Sequence, residues 1–175
     1  DAIRSRGLGD VYKRQTLLNE PDGRALYLFP TKALAQDQVS AFNELAYPLK
    51  KKSLHAATYD GDTPQSARKK SRQSTPVILS NPDRLHMGIL PHPPRWRKFL
   101  SKLRFIVIDE LHTYRGIFGS HFANVLRRLH RICRFYGASP QFVCASATIA
   151  NPHEHALALL DLVDPHRLQI VDRPN

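Results

Sequence analysis

The chain has 175 residues, long enough for one sizeable hydrophobic core and, by length alone, a single domain. Apolar residues make up 42% and charged residues 23%, ordinary values for a globular protein. No apolar run approaches the roughly 20 residues that span a bilayer. The segment Asp1 to Arg6 lacks the apolar core of a signal peptide, so no membrane association and a cytoplasmic location are expected. Cys133 and Cys144 are too few for a disulfide framework and lack metal-ligand spacing, so both are expected to be reduced core residues. The formal net charge of +11 favours a polyanionic partner, because neutralising phosphates releases counterions.

Residues 1–15 show no periodicity and are strongly basic, and are expected to be a non-native or disordered tail. Removing them leaves the remainder at about +9, so the basicity belongs to residues 16–175, expected to be the folded unit. Ala25 to Phe29 reads as a strand ending at Pro30, and the apolar spacing from Ala33 to Leu49 predicts a helix. A short strand follows around His55 to Tyr59, then a basic polar helix from Pro64 to Gln73 and a strand at Val77 to Leu79. Pro82 suits the first turn of a helix reaching about Ile89, with Asn81 as its cap. The proline-rich stretch at 91–94 cannot continue that helix and is expected to be a loop. Phe118, Phe122, Val125, Leu126, Leu129, Ile132, Cys133 and Tyr136 form one apolar helical stripe with arginines on the opposite arc, and Gly137 stops it. A last helix around His153 to Leu162 leads to a strand near Leu168 to Val171. Such alternation predicts an α/β fold, a mostly parallel sheet with helices on both faces.

Chemistry gathers where two strands end. Phe105 to Ile108 is continuously apolar, as a strand buried on both faces must be, and stops at Asp109, Glu110 and, two residues on, His112. Gln141 to Ala145 repeats the pattern and ends on Ser146, Ala147 and Thr148. Carboxyl edges of open parallel sheets are where ligands bind. Asp109 is suited to holding Mg²⁺ through water, Glu110 to acting as general base, and His112 to carrying a hydrogen bond toward a neighbouring domain. The plain alternative is that the acidic pair caps the next helix and the hydroxyls merely end a strand. Upstream, Thr31 and Lys32 open a helix, where free amides and the helix dipole favour phosphate. Arg68, Lys69, Lys70, Arg72, Arg95, Arg97, Lys98, Lys102 and Arg104 supply much of the charge, as phosphate contacts or as a solvated face. Trp96 either stacks on a base or anchors its segment on the core.

Asp109 to His112 followed by Ser146 to Thr148 resembles motifs II and III of a superfamily 2 helicase of the DEAD/DEAH-box type. Pro30 to Gln38 resembles motif Ia, Tyr59 to Asp62 the glycine turn laid against a nucleic-acid backbone, and Ser80 to His86 motif Ib. The wording is most similar to a RecQ-related subgroup of ATP-dependent 3′-to-5′ DNA helicases with a cysteine-rich carboxyl-terminal domain, active in genome repair. The resemblance implies a three-layer RecA-like P-loop NTPase domain using ATP and Mg²⁺. It implies DNA rather than RNA as the nucleic acid, and a second RecA-like domain as partner. It assigns Ser146 and Thr148 to a relay between nucleotide and nucleic acid. Thr31, Lys32, Gly61, Asn81 and Arg84 fall among the nucleic-acid contacts. None of the eight glycines is followed by lysine, so the P-loop sequence Gly-x-x-x-x-Gly-Lys-Ser/Thr is absent. The sheet is therefore expected to be incomplete at its amino-terminal side, and the 175 residues alone to bind ATP weakly without helicase-like turnover. An RNA helicase, a repair or restriction motor, and a non-catalytic nucleic-acid-binding module stand as alternatives. A metal hydrolase using Asp109, Glu110 and His112 is disfavoured because no further ligand stands at metal spacing on the same element.

Overall fold

The computed structural model describes residues 22–46, 55–147 and 150–160. Strand β1 (Arg24–Leu28) is followed by helix α1 (Lys32–Ala46), β2 (Ala56–Thr58), α2 (Gln65–Gln73) and β3 (Val77–Ser80). Next come a short helix α3 (Pro82–Arg84) that runs into a π-helical turn (Leu85–Ile89), then α4 (Pro93–Leu100) and β4 (Leu103–Ile108). A 3₁₀ turn (Leu111–Thr113), the long α5 (Gly116–Phe135), β5 (Gln141–Cys144) and α6 (Pro152–Leu160) complete the described chain. The strands form one five-stranded sheet in the order β2-β3-β1-β4-β5. Every pairing is parallel.

Successive residues of a strand point to opposite faces, and both faces are dry here. Leu26 and Leu28 of β1, Ile78 of β3 and Ile106 and Ile108 of β4 join a core with Leu85, Trp96, Phe99, Phe122 and Leu129. Ala25, Tyr27, Val77, Leu79, Phe105 and Val107 turn the other way and pack on Ala35, Phe42 and Ala46 of α1. The result is a three-layer α/β domain, as expected. Asn43 on α1 closes the β2 edge: its amide donates to Ala56 O (3.1 Å) and its Oδ1 accepts from Ala56 N (2.8 Å). An edge strand that offers unpaired backbone groups invites association, and this contact satisfies two of them.

The structure changes some local expectations and bears out others. Residues 91–94 are not all loop: α4 begins at Pro93, with both prolines in its first turn, where no amide hydrogen is needed. Trp96 is 1% exposed and meets the Tyr59 ring edge-on at 4.7 Å, so it anchors α4 to the core and does not face a base. Phe118 lies at the start of α5 and is 37% exposed, stacked on Tyr114 at 5.3 Å. Cys133 is buried as expected, whereas Cys144 is only half-buried. The expected tail at 1–15, Thr148 and the strand near 168–171 lie outside the described residues.

Candidate nucleotide and nucleic-acid site

Because all five strands run the same way, the loops after their carboxyl ends share one edge of the sheet. Thr31 and Lys32 follow β1, Gly61 follows β2, Asn81 and Arg84 follow β3, Asp109 to His112 follow β4, and Ser146 follows β5. Residues spread over more than a hundred positions are thereby gathered along one edge.

The acidic turn is held from several directions. Asp109 N donates to Leu28 O (3.0 Å), and Asp109 Oδ1 accepts from Glu110 N (3.0 Å). Glu110 has φ 52° and ψ 47°, the sole non-glycine residue with positive φ among those described. A left-handed residue with a side chain costs on the order of 1–3 kcal/mol and persists only where its surroundings impose it. Here Ala145 N donates to Ile108 O (2.8 Å) and Leu111 N to Ala145 O (2.9 Å), which sews the turn to the end of β5. Thr113 Oγ1 donates to Glu110 O (2.8 Å), and His155 Nε2 on α6 lies 3.0 Å from Leu111 O. Ser146, exposed, is the residue directly after Ala145 and therefore adjoins the acidic turn. Glu110 Oε2 lies 3.3 Å from His112 Nδ1, so the histidine sits beside the neighbouring carboxylate.

Asp109 and Glu110 are each part-buried, and no group of three metal-ligating side chains occurs among the described residues. That donor set fits Mg²⁺, which binds through one or two carboxylates and keeps its waters, better than a protein-caged metal. Behind the turn, Tyr114 is 1% exposed and its hydroxyl has no hydrogen-bond partner among the described residues. Burial, reinforced by Asp109, Cys144 and Glu110, pushes that phenol far above its ordinary pKa, so it remains neutral. Sequence inspection missed both Tyr114 and His155, since neither lies on a periodic stripe or at a motif position.

The upstream residues are locked differently. Thr31 Oγ1 accepts from Leu34 N (3.3 Å) and starts α1. Lys32 ion-pairs with Asp62, a contact that raises the lysine pKa, so its charge is already shared with the turn after β2. In that turn Asp60 accepts from Asp62 N (3.0 Å), Thr63 Oγ1 (3.0 Å) and Gln36 Nε2 (3.1 Å). Burial alone would raise the Asp60 pKa, but these hydrogen bonds outweigh it and the net shift is downward. Gly61 is exposed with nothing within 4 Å of an added Cβ, so packing among the described residues does not demand a glycine there. Asn81 Oδ1 caps α3 by accepting from Arg84 N (2.8 Å), as the sequence predicts. The Arg84 guanidinium lies 5.0 Å over the Tyr59 ring and across Gly88, where a Cβ would come within 2.8 Å of Arg84 Nε.

Comparison with known proteins decides the family. The model of the DEAD/DEAH box helicase family matches residues 11–155. The chain belongs to the DEAD/DEAH box helicase family. The "Uncharacterized ATP-dependent helicase YprA" of Bacillus subtilis is 56% identical over 140 residues, covering 80% of this chain and 19% of that protein. The ATP-dependent helicase HRQ1 of Saccharomyces cerevisiae is 47% identical over 142 residues, covering 79% of this chain and 13% of that protein. The crystal structure of the DUF1998 helicase MrfA bound to DNA and AMPPNP superposes with a TM-score of 0.81 at 54% identity, covering 84% of this chain and 20% of that one. The chain thus spans about a fifth or less of the length of these relatives. The DEAD/DEAH helicase domain is RecA-like, and the resemblance read from motif order holds. Among the described residues, no helix is long and apolar enough to cross a membrane.

Proposed function

We propose that this chain is part of the first RecA-like motor domain of a cytoplasmic, ATP-driven DNA helicase, completed by the P-loop segment and a second RecA-like domain. The observation that carries the reading is the joint between β4 and β5. Asp109 and Glu110 leave one strand while Ser146 leaves its parallel neighbour, with Ala145 hydrogen-bonded to both Ile108 and Leu111. Nucleoside triphosphate hydrolysis is largely positioning and charge neutralisation. Asp109 would hold Mg²⁺ through water, and Glu110 would orient and deprotonate the attacking water. When bound, ATP with Mg²⁺ supplies the phosphoanhydride whose cleavage drives the motor. His112, Ser146 and Thr148 would pass the state of that site to the nucleic acid. Thr31, Lys32, Gly61, Asn81 and Arg84 would meet its backbone. DNA is favoured over RNA because MrfA, 54% identical, was crystallised with DNA.

The test is DNA-stimulated phosphate release by the full-length protein carrying this chain. Glu110→Gln is expected to lower turnover about 10²- to 10⁴-fold while retaining DNA binding. Unchanged turnover in that variant would remove Glu110 from the chemistry. A wild-type protein that binds DNA but releases no phosphate would favour the non-catalytic binding module instead.

A further inference from the structure

The strand-edge residues leave most of the positive charge unused. Helix α2, with the sequence QSARKKSRQ, carries Arg68, Lys69, Lys70 and Arg72 and no acidic residue. Helix α4, PPRWRKFL, carries Arg95, Arg97 and Lys98, again with no acidic residue. The two helices pack against each other in space although about twenty residues of chain separate them. Their inner faces are fixed: Ser71 of α2 is buried, as are Trp96, Phe99 and Leu100 of α4. Lys69, Lys70, Arg95 and Arg97 are left exposed on the outer faces. None of these four makes an ion pair among the described residues. Asp22, the nearby acid, pairs with Lys102 (2.8 Å) and is also under the influence of Lys98, at the far end of α4.

This double ridge is joined to the strand-edge site. Arg68 donates to Gly61 O (2.8 Å), tying α2 to the exposed turn after β2. Trp96 packs on Tyr59, two residues before Gly61, and Tyr59 also lies under Arg84. A polyanion lying along Gly61 and Arg84 therefore has α2 and α4 beside it. The surface also states what kind of polyanion fits. Single strands are gripped by aromatic side chains on which bases stack, as well as by charge. Helix α2 has no aromatic residue, and both aromatics of α4 are buried at 1% exposure. The ridge can read phosphates but offers nothing to an unpaired base, which is the requirement for holding a duplex by its backbone.

We propose that α2 and α4 form a phosphate-binding ridge that holds duplex nucleic acid next to the strand-edge site. The proposal deepens the helicase reading, which supplies the reason a duplex would be present there. The ridge would grip the unopened part of the substrate while the strand edge handles the separated strand.

The test uses the 175-residue chain and fluorescence anisotropy with two probes, a short DNA duplex bearing a single-stranded tail and the tail alone, titrated with salt. Lys69→Gln/Lys70→Gln and Arg95→Gln/Arg97→Gln are compared with Arg127→Gln/Arg134→Gln on α5, which removes the same charge from another face. All six positions are exposed, and circular dichroism melts confirm that each variant folds. Each ridge pair is expected to flatten the slope of log affinity against log salt for the tailed duplex by about 1–2, near 0.9 for each phosphate that is no longer neutralised. Affinity for that probe should fall about fivefold or more at low salt, with the tail alone changing less than twofold and the α5 pair showing the smaller effect. Equal weakening on both probes, equal weakening in the α5 control, or no weakening would overturn the proposal. So would a ridge variant that loses binding to phosphatidylserine vesicles while keeping the duplex. Arg84→Ala separates this outcome from the underlying reading: if it leaves both probes unaffected, the strand-edge assignment fails whatever the ridge does.

Discussion

Gly119 gives the sharpest check on how the acidic turn is braced. It lies in the first turns of α5, where alanine would ordinarily be favoured by about 1 kcal/mol for its helix propensity. The structure reverses that sign. A Cβ at position 119 would stand 2.7 Å from the carbonyl carbon of Tyr114 and closer still to its oxygen. Ordinary contact begins at 3.4 Å, so the Tyr114 carbonyl oxygen would have to retreat by about 1 Å. The obstacle is backbone and cannot swing aside like a side chain. That peptide is also tied in place, since Tyr114 N donates to Leu111 O (3.2 Å) and Gly119 N to Arg115 O (3.0 Å). Overpacking costs about 1–3 kcal/mol, and a neighbour that is fixed backbone puts this site at the upper end, about 2–3 kcal/mol. Subtracting the propensity gain, Gly119→Ala is expected to destabilise the chain by about 1–2 kcal/mol. For a chain of this size that corresponds to a melting temperature lower by about 2–8 °C. Urea denaturation followed by circular dichroism measures it directly. A variant with a raised midpoint would mean that α5 does not press on the Tyr114 peptide that follows the acidic turn.

Gly88 makes the complementary case, because the atoms its Cβ would meet belong to the Arg84 side chain. Gly88→Ala should therefore leave stability within about 0.5 kcal/mol but dislodge the guanidinium from Tyr59. Weaker binding of single-stranded DNA, measured by anisotropy, would register that displacement; a large drop in stability with intact binding would contradict it. Asp60, whose folded pKa lies below its unfolded value near 3.9, contributes stability that is fully present above about pH 4. That contribution is lost as pH falls through the lowered folded value, so the stability gap between wild type and Asp60→Asn should shrink from pH 6 to pH 3. A gap that stays constant over this range would show that the carboxylate is not what holds the turn. Burial pushes the Cys133 thiol up to about 12, so in a Cys144→Ser background it should react with Ellman's reagent only as fast as the chain opens. Rapid labelling of the folded variant would place Cys133 outside the core.

What the sequence made legible follows from which forces are local. Phe105 to Ile108 had to be a strand wet on neither face, and the two carboxylates after it had to lie at a sheet edge. The structure bears out both. The prolines at 93 and 94 misled because the same missing amide that ends a helix also suits its first turn, and only tertiary context selects between them. Trp96 between two arginines could stack on a base, but the expected anchoring on the core holds, through packing against Tyr59, 37 residues earlier in the chain. Lys32 looked like a free phosphate ligand at a helix start, and its pairing with Asp62, thirty residues away, left no local trace. Asn43 closing the β2 edge was invisible for the same reason.

The strain at Glu110 ties these long-range contacts to the chemistry. Its left-handed backbone costs on the order of 1–3 kcal/mol. Against this stand the bonds from Thr113 to Glu110 O, from Leu111 N to Ala145 O and between His155 and Leu111 O. At about 0.5–1.5 kcal/mol net apiece, together they match or exceed the cost. No single one does so comfortably. The conformation that presents the acidic pair therefore depends on β5 and α6 being docked, and the segment leading to Ser146 cannot shift without altering the restraint on Glu110. Coupling between the carboxylates and the strand that carries the serine thus needs no dedicated moving part: it follows from a strained residue held by bonds drawn from both sides of the joint.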